Sequence, residues 1–146
     1  MDVASLTGLE LMQAMAEGKL PRASITETMG IGRMEVEKGR AVMHVRATDR
    51  HLNPLGGVHG GFAATALDSV TGCAVHTMLD AGVTYGTVDL NVKMMRPVPM
   101  GEDLVAEARV THISRSLGIS EGTLRDANGK LLASASATCF IKQKRG

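Results

Sequence analysis

Residues 60–80, GGFAATALDSVTGCAVHTMLD, constrain this chain more than any other stretch. They read as about twenty residues of helix, apolar on nearly every side, and such a helix has to be buried in whatever surrounds it. Its one mid-helix charge is Asp68. At 100° per residue, Leu67, Val70, Ala74 and Met78 form an apolar stripe suited to packing on a concave sheet. Asp68 lies on a different stripe with Gly61, Ala64, Thr65, Thr71 and Gly72. That face is small and partly polar, so a backbone or a ligand can come close to the acid.

The flanking sequence supplies the sheet. Leu9, Leu11, Met12 and Met15 fit a short amphipathic helix that ends near Gly18 and Pro21. Met34 and Val36 alternate before Lys38-Gly39, and Ala41, Met43 and Val45 after it, which predicts a hairpin. Beyond the long helix, Val88, Leu90, Val92 and Met94 fall on one strand face, with Thr87, Asp89, Asn91 and Lys93 on the other. Pro97 and Pro99 end that strand, because neither can donate to a ladder. Residues 103–113 and 117–125 predict two more strands. Asn128-Gly129 is a hairpin signal, and Leu131, Ala133, Ala135, Ala137, Cys139 and Ile141 share one face of the last strand. Short helix, two strands, long helix and four strands predict an α+β fold, with an antiparallel meander wrapped around the long helix. Residues 1–146 are expected to form a single domain, with residues 1–22 as a helical extension.

Composition narrows the function. The chain has no Trp, one Tyr and two Phe against ten Met, so small and flexible side chains must fill the core, and a partner subunit is expected to complete it. A net charge of +1 argues against bulk nucleic-acid binding. Cys73 and Cys139 both lie in apolar surroundings and read as reduced thiols of a cytoplasmic protein. The N-terminal stretch lacks a basic region followed by an apolar one, so it does not read as a secretory signal. No run reaches the roughly 18 apolar residues of a membrane span.

GGVHGG, residues 56–61, opens the long helix. The first N–H groups of a helix have no internal partner and carry the positive end of its dipole. With no Cβ at Gly60, a carbonyl oxygen can reach that N–H, which makes a workable oxyanion site. Asp68 is eight residues further on, about 12 Å along the axis. One helix therefore cannot bring both groups to one reacting carbon, whereas two helices related by a two-fold axis can. From local sequence alone, a plain glycine turn, a structural acid and a capping His59 remain open alternatives. His76 reads as structural. There is no G-x-S-x-G elbow, H-E-x-x-H helix or phosphate-cradling loop. The spacing of Asp49, His51 and His59 matches no standard metal site, so no metal is expected.

Taken together, NPLGGVHGG at 53–61, an acid nine residues after the histidine, TVDLN at 87–91 and RPVPMG at 96–101 resemble the hotdog-fold acyl-CoA thioesterases of the phenylacetate-degradation, 4-hydroxybenzoyl-CoA thioesterase-like family. The resemblance runs from about residue 40 to 142. It implies hydrolysis of an acyl-CoA thioester to a carboxylic acid and CoA, with no cofactor. The Gly60 N–H would polarise the thioester carbonyl. Asp68 of the neighbouring subunit would act as general base or nucleophile, with Asn53 orienting water or substrate, His59 holding the turn or the carbonyl, and Thr87 placing a hydroxyl near the acid. Gly61 belongs to the same substrate-binding turn. Arg115 and Ser116 are expected at the CoA phosphates, with Arg96 as a further candidate. The implied assembly is a homodimer with a continuous sheet, usually paired into a homotetramer. A hotdog enoyl-thioester hydratase or dehydratase, and a non-catalytic acyl-CoA sensor, are the alternative activities.

Overall fold

The computed structural model describes residues 2–144. Six antiparallel strands, β1 (Ile31–Glu37), β2 (Arg40–Val45), β3 (Thr84–Met94), β4 (Leu104–Ile113), β5 (Leu117–Arg125) and β6 (Leu131–Lys142), form one sheet in the order β1-β2-β4-β5-β6-β3. Three helices accompany them: α1 (Gly8–Ala16), α2 (Ile25–Thr28) and α3 (Gly60–His76). The sheet wraps α3, which is the hotdog architecture.

The meander is confined to β4, β5 and β6. β3 follows α3 in the chain but pairs with β6 at the far edge, because α3 carries the chain across the width of the sheet. The unpaired side of β3 is therefore open.

α3 buries Phe62, Ala63, Ala66, Leu67, Val70, Ala74 and Val75 against strand residues that are mostly small, among them Ala106, Ala108, Ala133, Ala135 and Ala137. Small strand residues let helix and sheet approach closely. At Gly118 a Cβ would sit 2.8 Å from Val75 Cγ1, so β5 has no room for a side chain there. Such close packing replaces the aromatic filling that the composition lacks.

α1 begins with a capping box, in which the Glu10 N–H donates to Thr7 Oγ1 at 3.2 Å and the Thr7 N–H to Glu10 Oε1 at 2.9 Å. It ends at Ala16, with Gly18 at φ 76°. α2 is a single turn, too short for periodicity to reveal it. α3 stops at His76, four residues before the expected Asp80. There Thr77 Oγ1 donates to Ala74 O at 2.6 Å and accepts the Gly39 N–H at 2.8 Å, tying the β1–β2 hairpin to the helix end. The hairpin at Asn128-Gly129 is present, but only Gly129 takes a positive φ, 83°. The side chain of Asp126 accepts the N–H groups of Asn128 and Lys130 at 3.0 and 2.9 Å and shapes the loop.

β3 departs from simple alternation. Its register shifts between Thr87 and Asp89, so Val88 bulges outward at 67% exposure. Thr87 consequently shares the helix-facing side with Leu90 and Val92, not with Asp89 and Asn91.

Candidate active site

The turn that opens α3 is fixed from both ends. Asn53 uses its side-chain Oδ1 to accept the N–H groups of Leu55 and Gly57 at 2.9 and 3.2 Å, while its own N–H donates to Gly57 O at 2.7 Å. Among the described residues its amide Nδ2 meets no acceptor. The His59 N–H donates to His51 O at 2.7 Å. His51 is buried; its Nδ1 accepts the Thr48 N–H at 3.0 Å, its Nε2 lies 2.8 Å from Thr28 O, and its ring packs on Phe62. Nothing in the sequence marked His51 as the anchor of this turn.

His59 is the N-cap of α3, and its Nδ1 accepts the Gly61 N–H at 2.7 Å. An accepting Nδ1 leaves the neutral ring its proton on Nε2, a free donor at the mouth of the helix. With Gly61 satisfied, the Gly60 N–H has no acceptor among the described residues. Thus the turn leaves unpaired the donor that a polarising site needs.

Two clefts flank this N-terminus. One, of about 290 Å³, is lined by Val58, Gly60, Ala63, the 94–98 segment and Ala133. Arg96 lies on it and donates from Nη1 to Leu131 O at 2.9 Å. Met94 comes so near Gly60 that a Cβ there would lie 2.9 Å from the Met94 Sδ. The other, of about 330 Å³, holds His59, Gly61 and Thr65 together with Arg50, His51 and Phe62. A larger groove of about 560 Å³ crosses the outer face of the sheet between Lys93, Arg109 and Glu121 and contains none of the predicted site residues.

Asp68 stands two turns along α3 and is exposed, as a face open to a ligand requires. Gly61, Ala64 and Thr65 leave its stripe partly open, whereas Thr71 and Gly72 are buried. Thr71 turns to the sheet and donates to Leu67 O at 2.7 Å, so it does not belong to the open face. The charge of Asp68 is nonetheless felt locally. Burial pushes the Cys73 thiol up to about 11, and Asp68 adds to that shift while Arg22 opposes it. Burial raises Cys139 and Tyr85 as well, again with a smaller contribution from Asp68. Thr87 is half-buried on β3, its Oγ1 3.9 Å from Cys139 Sγ.

Arg115 and Ser116 are elsewhere. They form the β4–β5 turn, where Ser116 O accepts the Ile141 N–H at 2.9 Å and Arg115 O accepts Gln143 Nε2 at 2.5 Å. Gly118, two residues on, packs against Val75 near the C-terminal end of α3, so this turn lies at the opposite end of the helix from Gly60. Within one chain Gly60, Arg96 and Gly61 are gathered around the N-terminus, and Asp68 lies half-way along α3. Among the described residues no three His, Cys, Asp or Glu side chains converge as a metal site, and no helix is long and apolar enough to cross a membrane.

Fold and site define a hotdog domain whose helix N-terminus offers a free N–H and whose mid-helix acid faces outward. The Thioesterase superfamily pattern matches residues 55–133. Acyl-coenzyme A thioesterase 13 of Homo sapiens is 31% identical over 96 residues, 65% of this chain and 68% of that protein. The 1,4-dihydroxy-2-naphthoyl-CoA hydrolase of Listeria monocytogenes is 26% identical over 121 residues, 83% of this chain and 98% of its own. A solved structure of a phenylacetic acid degradation-related protein from Ralstonia eutropha superposes with a TM-score of 0.80 at 33% identity, covering 88% of this chain and 97% of that one. The chain belongs to the Thioesterase superfamily.

Proposed function

We propose that the protein hydrolyses acyl-CoA thioesters, using the Gly60 N–H of one subunit and the Asp68 carboxylate of another on the same carbonyl. The observation that carries this reading is the unpaired Gly60 N–H at the start of a helix whose outward acid lies eight residues on. A thioester is already activated, so a polarising donor, a carboxylate and a water are sufficient, and the reading calls for no metal or cofactor. As the carbonyl carbon becomes tetrahedral, negative charge develops on its oxygen, where the N–H and the helix dipole stabilise it. Asp68 either takes the proton of the attacking water, after which the tetrahedral intermediate breaks its C–S bond and releases CoA, or attacks the carbonyl itself, releasing CoA and leaving a mixed anhydride that water then hydrolyses to the acid and the free carboxylate. The free Nδ2 of Asn53 and the Thr87 hydroxyl are the polar groups available to orient water or substrate, and His59 keeps Gly61 from competing with Gly60.

A two-fold dimer is part of the proposal. β3 ends the sheet with an eleven-residue open edge carrying the exposed Val88 and Met94, and an edge of that length calls for a partner. Antiparallel pairing of two β3 edges continues the sheet and lays the α3 helices side by side in opposite directions. The N-terminus of one then approaches the middle and far end of the other. Asp68 reaches the opposite Gly60 in this arrangement, and Arg115 and Ser116 of one chain join Arg96 of the other near the CoA phosphates. Pairing of such dimers into a tetramer, and a cytoplasmic location suited to the two unbridged cysteines, complete the reading.

The test is Asp68→Asn assayed by CoA release from a panel of acyl-CoAs. The wild type is expected to liberate CoA and the variant to lose most turnover while keeping its fold and assembly. Near-normal turnover in the variant would refute the role of Asp68. A changed enoyl absorbance without CoA release would instead identify a hydratase, and binding without reaction a sensor.

A further inference from the structure

The cleft on the Gly61 side of the α3 N-terminus is apolar at its base and cationic at its rim. The buried Phe62 and the His51 ring, with centroids 5.1 Å apart, lie at its base beside Met29 and Leu52. Arg50 lines it too, and no acidic side chain among the described residues does. The Nε2–H of His59 opens onto the same space.

Arg50 is fixed by its backbone and not by its side chain. It sits in the short turn Asp49–His51, where its N–H donates to Thr48 Oγ1 at 3.3 Å and the following residue, His51, is anchored on Thr28 O and Phe62. Its guanidinium makes no ion pair or hydrogen bond among the described residues. The arginines before it in the chain are engaged, Arg40 by Glu37 and Glu107 and Arg46 by Asp103 at 2.5 Å. A cation on a fixed backbone, uncommitted and facing a cleft without an acid, is arranged for an anionic group that a ligand brings.

A thioester carbonyl seated on the Gly60 N–H sends its two substituents to the two flanks of the helix end. The CoA arm takes the cleft of the 94–98 segment, on which Arg96 lies. The acyl arm then passes Gly61 into the cleft of Arg50. The volume of that cleft, about 330 Å³, is at the lower end of the roughly 300–1,000 Å³ of small-molecule sites, which suits a short acyl group.

We infer that Arg50 selects acyl groups ending in a carboxylate, so that the preferred substrates are CoA monothioesters of short dicarboxylic acids. This rests on the thioesterase reading and deepens it, since it names the acyl class taken by the same site. The methylene chain lies on Phe62, Met29 and Leu52, and the terminal carboxylate pairs with the guanidinium.

The experiment is the kcat/KM ratio of adipoyl-CoA to hexanoyl-CoA, which have the same chain length, for wild type, Arg50→Lys, Arg50→Gln and Arg50→Glu. The wild type is expected to favour adipoyl-CoA. Gln should lower the ratio about 10–100-fold, the worth of a hydrogen bond to a charged group. Lys should keep part of the preference, and Glu should reverse it. Added salt should lower the wild-type ratio by screening an exposed pair and leave the Gln ratio unmoved. A wild type without the preference, or a ratio that Gln and Glu leave unchanged, overturns the inference while the hydrolase reading stands. An equal loss on both substrates also overturns it, because Arg50 would then act on CoA. Failure of the wild type to release CoA from any acyl-CoA removes the hydrolase reading, and the inference with it.

Discussion

Substituting Gly60 by Ala separates the stability of the helix N-terminus from its chemistry. The new Cβ would lie 2.9 Å from Met94 Sδ and 3.1 Å from its Cε, both at the free end of an exposed, flexible side chain. Turning that end away costs about 0.5–1.5 kcal/mol if it leaves its rotamer. Alanine recovers up to about 1 kcal/mol of helix propensity over glycine, less in the first turn than in the interior. The two effects nearly cancel, so the melting temperature should move by no more than about 4 °C. Activity should not be spared in the same way. The methyl group fills the cleft from which a carbonyl would reach the Gly60 N–H, and loss of one oxyanion donor costs about 10²–10³ in kcat. Thermal melts monitored by circular dichroism give the first quantity, and thiol release from acyl-CoA the second. A folded Gly60→Ala protein that keeps kcat within about threefold would refute the claim that this N–H polarises the substrate.

Other consequences concern the core and its titration. Ser120 is 0% exposed on the helix-facing side of β5, and its hydroxyl has no partner among the described residues. Ser120→Ala removes an unsatisfied polar group and is expected to stabilise the fold by about 1 kcal/mol, or 2–4 °C in melting temperature; a lower melting temperature would mean that the hydroxyl has a partner. Burial raises the Cys73 thiol from 9.0 to about 11, so the folded state holds this proton more tightly than the unfolded chain. Its contribution is present below pH 9.0 and is lost as pH rises through about 11, by at most about 3 kcal/mol. Urea unfolding across that range should therefore show a shallower alkaline decline for Cys73→Ala than for wild type, and parallel curves would contradict it. At Gly118 a Cβ would meet Val75 Cγ1 at 2.8 Å between two packed layers, so Gly118→Ala should destabilise by about 1–3 kcal/mol, measurable in the same unfolding assay.

The elements that could be read from sequence are those that repeat a simple period. α3 announces itself because Leu67, Val70 and Ala74 recur at helical spacing, and β6 because alternate alanines fill the inner face from Ala133 to Ala137. The pairing of β3 with β6 was not legible, because strand order is decided by where α3 lands, and no residue of β3 records it. The Thr87 face was misassigned for a local reason: one bulged residue, Val88, inverts the alternation for everything before it. Asn53, His59, Gly60 and Asp68 were legible as a spacing, but the bonds that free the Gly60 N–H were not. They depend on His51, which is joined to Thr28 and Phe62 from distant parts of the chain.

Gly60 and Asp68, as proposed, serve one carbonyl from two chains, and complementation between two variants tests this directly. Gly60→Ala and Asp68→Asn proteins, each purified and inactive, can be mixed after mild dissociation and reassembled. In a mixed dimer one shared site carries both defects and the other carries neither. Random pairing at equal amounts should therefore restore about a quarter of wild-type CoA release. If both groups acted within a single chain, every site would retain one defect, and the mixture would stay as inactive as its components.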